Sequence, residues 1–222
     1  MGQYTLNIII NRQGRKFFQK FNEKVILVRA IDSSSTYQIV CAAFSPFGRK
    51  TIITFNEDWR LAVTNDKLKP NTVIEYKDQI NANLGQSYDY KTSGFVSGTG
   101  TVQPSNILVS NDRPEFTSLA FGLGQSIDIG DGQGPKYRSL SIGEYPFNQS
   151  FNFIPNNELW ILPASGLSEN MLLLTSSLMS SPENLKARSN TMGKYLAIKI
   201  GKTKTIHFDN KMHAFQKGPL PK

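Results

Sequence analysis

Short apolar runs recur along the chain, and glycine, proline, asparagine and aspartate separate one run from the next. β-Branched and aromatic residues are frequent in these runs, and several runs alternate between apolar and polar positions, as half-buried strands do. Few stretches show the roughly 3.6-residue period of an amphipathic helix. The strands that this pattern predicts are YTLNIII (4–10), KVILVRAI (24–31), TYQIVCAAF (36–44), KTIITF (50–55), TVIEYKDQI (72–80), YDYKTSGFV (88–96), KYLAIKI (194–200) and TKTIHF (203–208).

Closely spaced strands without long helical segments are typical of sandwiches and barrels. We therefore expect an all-β fold: a single antiparallel β-sandwich, or a partly closed barrel, with at most one or two short helices. The best helix candidate is SPENLKAR (181–188), because Ser181 can cap the first turn and Pro182 suits the first helical position. A further strand is expected over Met171–Thr175.

Two local patterns concern the connections between strands. KYLAIKI and TKTIHF flank Gly201 and Lys202, which predicts a β-hairpin. The segments GRKFFQKFN (14–22) and GRKTIITFN (48–56) share the pattern G-R-K-x4-F-N, which we interpret as two units of a turn followed by a strand. No composition shift marks a linker, so one domain is expected over residues 1–208, followed by a basic tail over residues 209–222.

The segment FGLGQSIDIGDGQGPK (121–136) contains five glycines and two aspartates, which raises the question of a ligand-binding loop. A dinucleotide-binding fingerprint would need a third glycine where Ile127 stands. A phosphate loop would need Gly-Lys-Ser/Thr, and an EF-hand loop starting at Asp128 would need an oxygen ligand where Gly130 stands. We therefore predict two strands joined by a glycine-rich turn. A cation held by Asp128 and Asp131 is the alternative.

The charge is unevenly distributed. The formal net charge is +8, from 25 Lys and Arg against 17 Asp and Glu. Nine of the basic residues and a single acidic residue, Asp209, lie between Lys186 and Lys222, which leaves 16 of each sign before them. Such asymmetry is typical of contact with a phosphate backbone or an anionic membrane. The alternative is a lysine-rich edge strand that keeps the protein soluble, with a solvated tail. Because the rest of the chain is neutral, sequence-specific recognition of nucleic acid is not expected.

The sequence carries no visible signature of catalysis, of a metal site or of a cofactor. His207 and His213 lack accompanying zinc ligands, and no G-x-S-x-G nucleophile motif is present. His207 alternates with apolar neighbours, so its side chain is expected to point outward from an edge strand. Cys41 is the single cysteine; its apolar flanks predict a buried, inert thiol, which fits a reducing compartment. The sequence favours a protein that is not an enzyme and that uses no cofactor or metal.

Neither a secretory signal nor a transmembrane stretch is visible in the sequence. We therefore expect a cytoplasmic protein, or one exported without a classical signal peptide.

Aromatic residues beside polar ones, together with the C-terminal lysines, are the candidate binding residues. Tryptophan and tyrosine can stack on sugars or lipid headgroups while their polar atoms stay hydrated, although cross-strand packing in the core is the alternative. Lysines near an anionic membrane contribute about 1 kcal/mol each. The candidate stacking residues are Trp59, Tyr88, Tyr90 and Trp160, and the candidate electrostatic residues are Lys199, Lys202, Lys204 and Lys211.

The chain contains, in this order, GQYTLNIIIN, TIITFNEDWRLAVTNDKLKP (51–70), FTSLAFGLGQ (116–125) and NFIPNNELWIL (152–162). These segments resemble the motifs of the RhiA-like family of small bacterial proteins, and the resemblance spans most of residues 3–165. It implies an all-β fold, a soluble protein that takes part in the interaction of a bacterium with a host or its surroundings, and no catalytic residues. The insertion SIDIGDGQGPKYRS and the lysine-rich C-terminal segment depart from the family pattern.

These observations together predict a non-catalytic binding or host-interaction protein that recognises an anionic or glycan-bearing surface. One alternative is a membrane-active, cytolytic or insecticidal β protein. Another is a small-molecule carrier or cyclase-like enzyme with Asp128, Asp131 or Arg138 near the mouth of a barrel. A third alternative is a purely structural or self-assembling protein, which would form homo-oligomers.

Overall fold

The computed structural model describes residues 3–32, 37–174, 194–199 and 201–221. The predicted helix over residues 181–188 lies outside the described residues, as does Thr175 at the end of the predicted strand Met171–Thr175. Residues 172–174 of that strand are confirmed, because they pair in a sheet, whereas Met171 forms an isolated bridge to Val73.

Two β-sheets, called the large sheet and the small sheet below, contain all the strands of the described chain. The large sheet consists of β1 (Gln3–Ile9), β3 (Tyr37–Ile39), β5 (Lys50–Thr64), β6 (Asp78–Ala82), β10 (Ser118–Asp128), β11 (Lys136–Pro146), β13 (Leu172–Leu174), β15 (Thr203–Asp209) and β16 (Ala214–Lys217). The small sheet consists of β2 (Lys24–Asp32), β4 (Ala42–Phe44), β7 (Gln86–Lys91), β8 (Gly94–Ser97), β9 (Ile107–Asn111), β12 (Gln149–Ala164) and β14 (Leu196–Lys199).

The order of strands confirms the predicted all-β sandwich. The large sheet runs β13-β3-β11-β10-β5-β1-β15-β16, with β6 paired to β5, and the small sheet runs β4-β2-β12-β9-β7-β8, with β14 paired to β12. Within the described residues, neither sheet closes on itself. The expectation of a purely antiparallel arrangement is wrong at two places, because β1 pairs with β15, and β7 with β9, in parallel.

The main core lies between the two sheets, because the inward-facing positions of both are apolar. Leu6 and Ile8 on β1 and Val25 and Leu27 on β2 belong to one buried cluster. Their spacing of two residues is the period with which side chains alternate across a strand. Two smaller apolar clusters cover parts of the outer faces of the sheets.

Several predicted strands are divided in the structure. TYQIVCAAF forms β3 and β4, which belong to different sheets, and YDYKTSGFV forms the paired strands β7 and β8. Only the end of TVIEYKDQI joins a strand, β6. Apolar alternation shows which residues are extended, but it does not show where an extended chain leaves one sheet for another.

The glycine-rich segment forms the predicted pair of strands. β10 and β11 pair in antiparallel fashion on either side of it. Gly130, Gly132 and Gly134 in the connection all have positive φ, the conformation that glycine adopts most readily.

The predicted hairpin across Gly201 and Lys202 is wrong. β14 pairs with β12 in the small sheet, whereas β15 pairs with β1 and β16 in the large sheet. The chain therefore crosses from one sheet to the other between these strands. Ile198 and Ile206 both reach the common core, but from opposite sheets.

The segment GRKFFQKFN begins inside a helix and not in a turn before a strand. This helix, α1 (Arg12–Lys20), follows Asn11, whose side chain accepts a hydrogen bond of 2.7 Å from Gly14 N. Phe18 is buried and packs on Phe208 and Phe215 of the neighbouring strands, with ring centroids 4.8 and 6.4 Å away. A methyl group at Gly14 would lie 2.8 Å from Ile10 Cγ2 and 3.2 Å from the Phe208 ring, so the absence of a side chain allows this close packing.

The second copy of the pattern, GRKTIITFN, leads into the strand β5 as predicted. The two copies differ because α1 has an N-cap residue and a buried face to pack, while KTIITF alternates and pairs with β1.

The C-terminal segment is part of the domain, which corrects the boundary predicted at residue 208. β16 pairs with β15, and Phe215 is buried in the main core. The expectation of an exposed His207 on an edge strand is wrong, because β15 has neighbours on both sides and the side chain is buried. Its Nδ1 donates a hydrogen bond of 3.0 Å to the carbonyl of Gly218.

Candidate functional site

The four aromatic residues expected to stack on a ligand are buried, which corrects their assignment as exposed surfaces. Trp59, Tyr88 and Tyr90 belong to the main core, and Trp160 lies in the cluster on the outer face of the small sheet. The alternative considered from the sequence, packing in the core, agrees with this burial. Local sequence did not reveal it, because a polar neighbour on a strand lies on the opposite face and does not indicate exposure.

The polar atoms of two of these residues bind other protein groups, whereas Trp59 Nε1 is buried without a hydrogen-bond partner among the described residues. Trp160 Nε1 donates to Glu158, and the Tyr88 hydroxyl donates to Gln86 Oε1 at 3.0 Å. The Tyr90 ring packs 4.7 Å from the ring of Phe95.

The four candidate lysines are all exposed. Lys199 ends β14, Lys202 directly precedes β15, Lys204 is the second residue of β15, and Lys211 lies in the turn between β15 and β16. They do not form one cluster: Lys199 and Lys204 line the same cavity, while Lys202 and Lys211 do not line it.

This cavity, which we call the lysine cleft, lies where the edge strand β14 of the small sheet approaches β15 and β16 of the large sheet. Its volume is about 570 Å³, which is in the size range of small-molecule sites. Its lining residues are Glu158, Ala197, Ile198, Lys199, Lys204, Thr205, Ile206, Lys217 and Gly218.

The lysine cleft combines an apolar interior with a cationic rim. Ile198 and Ile206 are buried, and one comes from each sheet. Three of the lining residues are lysines and one is a glutamate, so the lining carries a formal charge of +2. Glu158 lies directly opposite Lys199 in the pairing of β12 with β14, so part of the charge of Lys199 is balanced. Lys204 and Lys217 supply the remaining excess.

Backbone contacts hold the strand end that carries Lys217. Gly218 N donates to the carbonyl of Thr205 at 2.9 Å, and the Gly218 carbonyl accepts from His207. Gly218 has φ +93°, which a residue with a side chain adopts only with strain. The buried histidine therefore helps to position one wall of the lysine cleft.

Lys217 was missed as a site residue because its importance depends on strand pairing. In the sequence it was one of nine basic residues near the C-terminus. In the structure it lies opposite Ile206, and thus beside Lys204 and Thr205. The C-terminal excess of charge was the only sequence signal that pointed to it.

The aspartates of the glycine-rich loop stabilise turns. Asp128 Oδ1 accepts a hydrogen bond of 2.7 Å from Gly130 N, and Asp131 Oδ1 accepts one of 3.0 Å from Gln133 N. Among the described residues, no group of three or more His, Cys, Asp or Glu side chains is arranged to hold a metal ion.

Two arginines lie buried between the sheets. Arg138, expected at the mouth of a ligand cavity, is buried and forms an ion pair with Glu169. Arg29 is 2 % exposed, donates to Gln125 Oε1, and has its guanidinium carbon 5.3 Å from the centre of the Trp59 ring. Burial lowers the pKa of Arg29 to about 10, so it remains a cation at neutral pH. Both arginines therefore have protein partners, although the Glu169 side chain that pairs with Arg138 is 38 % exposed.

Cys41 also lies in this interior, and the effect of its burial on the thiol pKa can be tested. Its thiol donates to the carbonyl of Leu27 at 3.1 Å, and burial raises its pKa to about 12. In the unfolded chain the thiol ionises near its ordinary value of about 8.5. The folded protein keeps this proton up to a higher pH than the unfolded chain does. The resulting contribution to the free energy of unfolding is therefore fully present below about pH 8.5 and is lost as the pH rises towards about 12.

We expect Cys41→Ala to be less stable than the parent at neutral pH but to lose stability more slowly in alkali. The parent should lose on the order of 1 kcal/mol more than the variant for each pH unit above about 8.5. Urea unfolding from neutral to alkaline pH measures both curves, and parallel curves would contradict a raised thiol pKa.

Within the described chain, no helix is long and apolar enough to cross a bilayer. Comparison of the whole chain with known protein families, curated proteins and solved structures finds no match.

Proposed function

We propose that the protein is a non-catalytic binding protein that recognises an anionic ligand or surface, and that the lysine cleft holds the anionic group. The observation that carries this proposal is the convergence of Lys199, Lys204 and Lys217 on one cavity from three strands of two sheets. The resemblance to RhiA-like proteins is compatible with a binding role.

Charge recognition is better supported than neutral sugar recognition. Proteins commonly bind sugars by stacking them on exposed aromatic rings, but the four candidate rings are buried. The lysine cleft instead offers mobile ammonium groups at its rim and two isoleucines inside. Such a lining suits a phosphate or carboxylate that is attached to a partly apolar body.

The test compares the affinity of a soluble phospholipid for the parent protein with its affinity for a variant in which the charge of the lysine cleft is reversed. Isothermal titration calorimetry would use monomeric dihexanoyl phosphatidic acid as the anionic probe. Lys204→Glu combined with Lys217→Glu changes the local charge by four units, and we expect on the order of 100-fold weaker binding. Binding to the parent should also weaken as the salt concentration rises.

Matched controls separate the lysine cleft from net charge. Lys67→Glu combined with Lys69→Glu makes the same change at two exposed lysines of another loop and should leave the affinity unchanged. Dihexanoyl phosphatidylcholine tests whether the anionic charge is needed. The proposal fails if the parent does not bind the anionic lipid, or if both charge-reversed proteins bind it equally.

A further inference from the structure

A second cationic surface lies on α1, apart from the residues that line the lysine cleft. The helix sequence RQGRKFFQK contains four cations and no carboxylate. Arg12, Lys16 and Lys20 are exposed, while Phe18 on the opposite side is buried. A cation in the first turn, as at Arg12, is unfavourable for the helix dipole, so this distribution of charge does not serve helix stability.

The turn between β15 and β16 extends this surface. A methyl group at Gly14 would lie 3.0 Å from Asn210 Oδ1, and the ring of His213 is 5.0 Å from that of Phe17. These contacts place the turn against α1. Lys211 and Met212, both exposed, lie between these two contact residues.

Two large apolar side chains project among the cations. Phe21 is 47 % exposed and Met212 is 53 % exposed. Lys20 Nζ lies 5.2 Å from the centre of the Phe21 ring, so the positive and apolar groups are directly adjacent. We define the α1 face by Arg12, Lys16, Lys20, Phe21, Lys211 and Met212.

The nearby carboxylates of Glu23 and Asp209 both have protein partners. Glu23 is buried, and its Oε2 lies 2.8 Å from His213 Nε2. Asp209 Oδ1 accepts from the backbone N–H groups of Lys211 and Met212 at 2.8 and 3.3 Å. The charged residues that define the α1 face are all cations, and the half-buried carboxylate of Asp209 lies beside them in the turn.

We propose that the α1 face docks on the surface of an anionic phospholipid bilayer. Cations beside exposed apolar side chains match an interface in which lipid phosphates lie next to acyl chains. A nucleic acid would satisfy the cations and its bases can stack on Phe21, but it offers no aliphatic region for Met212. This docking is independent of the lysine cleft and does not require a ligand there.

The test is flotation of the full chain with vesicles of phosphatidylcholine alone, or with about one-third phosphatidylserine, at low and high salt. The parent should float only with the anionic vesicles and less at high salt. Arg12→Gln combined with Lys20→Gln should lower the partition coefficient roughly 30-fold. Phe21→Ser combined with Met212→Ser keeps the charge and should lower it about tenfold or more.

Matched variants control for charge, apolar exposure and folding. The control variants make the same kinds of change elsewhere and should bind vesicles as the parent does. They are Lys67→Gln combined with Lys69→Gln, and Phe147→Ser, at a ring that is 43 % exposed. Circular dichroism and thermal unfolding establish that each variant is folded. The charge-neutralised variant changes only exposed side chains, so it remains informative if the apolar variant unfolds.

Three outcomes would overturn the proposal. The first is no flotation of the parent with anionic vesicles, and the second is equal binding by α1-face and control variants. The third combines two results: only the charge-neutralised variant loses binding, and single-stranded RNA displaces the parent from vesicles. This outcome would indicate a polyanion partner. The doubly reversed Lys204→Glu, Lys217→Glu protein should still float, so failure of the cleft proposal and failure of this one are distinguishable.

Discussion

Phe215→Ala is expected to lower the free energy of unfolding by about 3–5 kcal/mol, the usual cost of removing a buried phenylalanine ring. The Phe215 ring is 1 % exposed, and its centroid lies 5.4 Å from that of Phe208 and 6.4 Å from that of Phe18. Its removal leaves a cavity where β16, β15 and α1 meet. Urea unfolding followed by circular dichroism measures the change.

The matched control is Phe147→Ala, at an exposed ring in the turn after β11, which should cost less than about 1 kcal/mol. Equal losses in the two variants would contradict a core position for Phe215. Ending the chain after Phe208 should be at least as damaging, because it removes β16 altogether. Loss of ligand binding in such a shortened chain would therefore report unfolding, and single lysine substitutions are the sharper test of a cationic anchor.

Arg29→Met is also expected to lower the free energy of unfolding strongly, by about 2–4 kcal/mol. Methionine keeps much of the apolar stem of the side chain but removes the donor to Gln125 Oε1. Loss of a charged hydrogen-bond partner in a buried position costs more than loss of a neutral one. The variant also removes the positive charge that attracts the carboxylate of Glu57.

A double-mutant cycle with Gln125→Met separates this interaction from the loss of packing. Gln125 Nε2 also donates to the carbonyl of Asn56 at 2.7 Å, so the single Gln125 variant has its own cost. If the Arg29–Gln125 contact is stabilising, the double variant should lose less than the sum of the single variants, by on the order of 1–3 kcal/mol. Strict additivity would show that the two side chains do not interact energetically.

Exposure or burial can be predicted from the local sequence for some of the candidate binding residues but not for others. Lysines are seldom buried, so the exposure of Lys199, Lys202, Lys204 and Lys211 follows from residue type alone. Trp59 and Trp160 could face either way, because an amphipathic ring next to polar neighbours fits a surface or a core equally well. Their burial depends on the second layer of structure that covers them.

Helix α1 shows why a short element was missed. Its nine residues include a glycine and two adjacent phenylalanines, and the segment is too short to display a clear helical period. Asn11 caps the helix in the structure, but asparagine is as common in turns, so it did not distinguish a helix from a turn in the sequence. The helix forms here because Phe18 finds an apolar surface on β15 and β16, strands that lie almost two hundred residues away in the sequence.

The class of fold, the turn at the glycine-rich segment and the concentration of positive charge near the C-terminus could be predicted from the sequence, since each depends on residue type and near-neighbour spacing. The sheet that each strand joins could not be predicted in this way and is set by the tertiary structure. KYLAIKI and TKTIHF have similar patterns, yet one joins the small sheet and the other the large sheet. That choice creates the lysine cleft and brings Lys217 beside Lys204. The physical reason is that alternation specifies which side of a strand is buried, whereas strand partners are selected by packing between residues far apart in the chain.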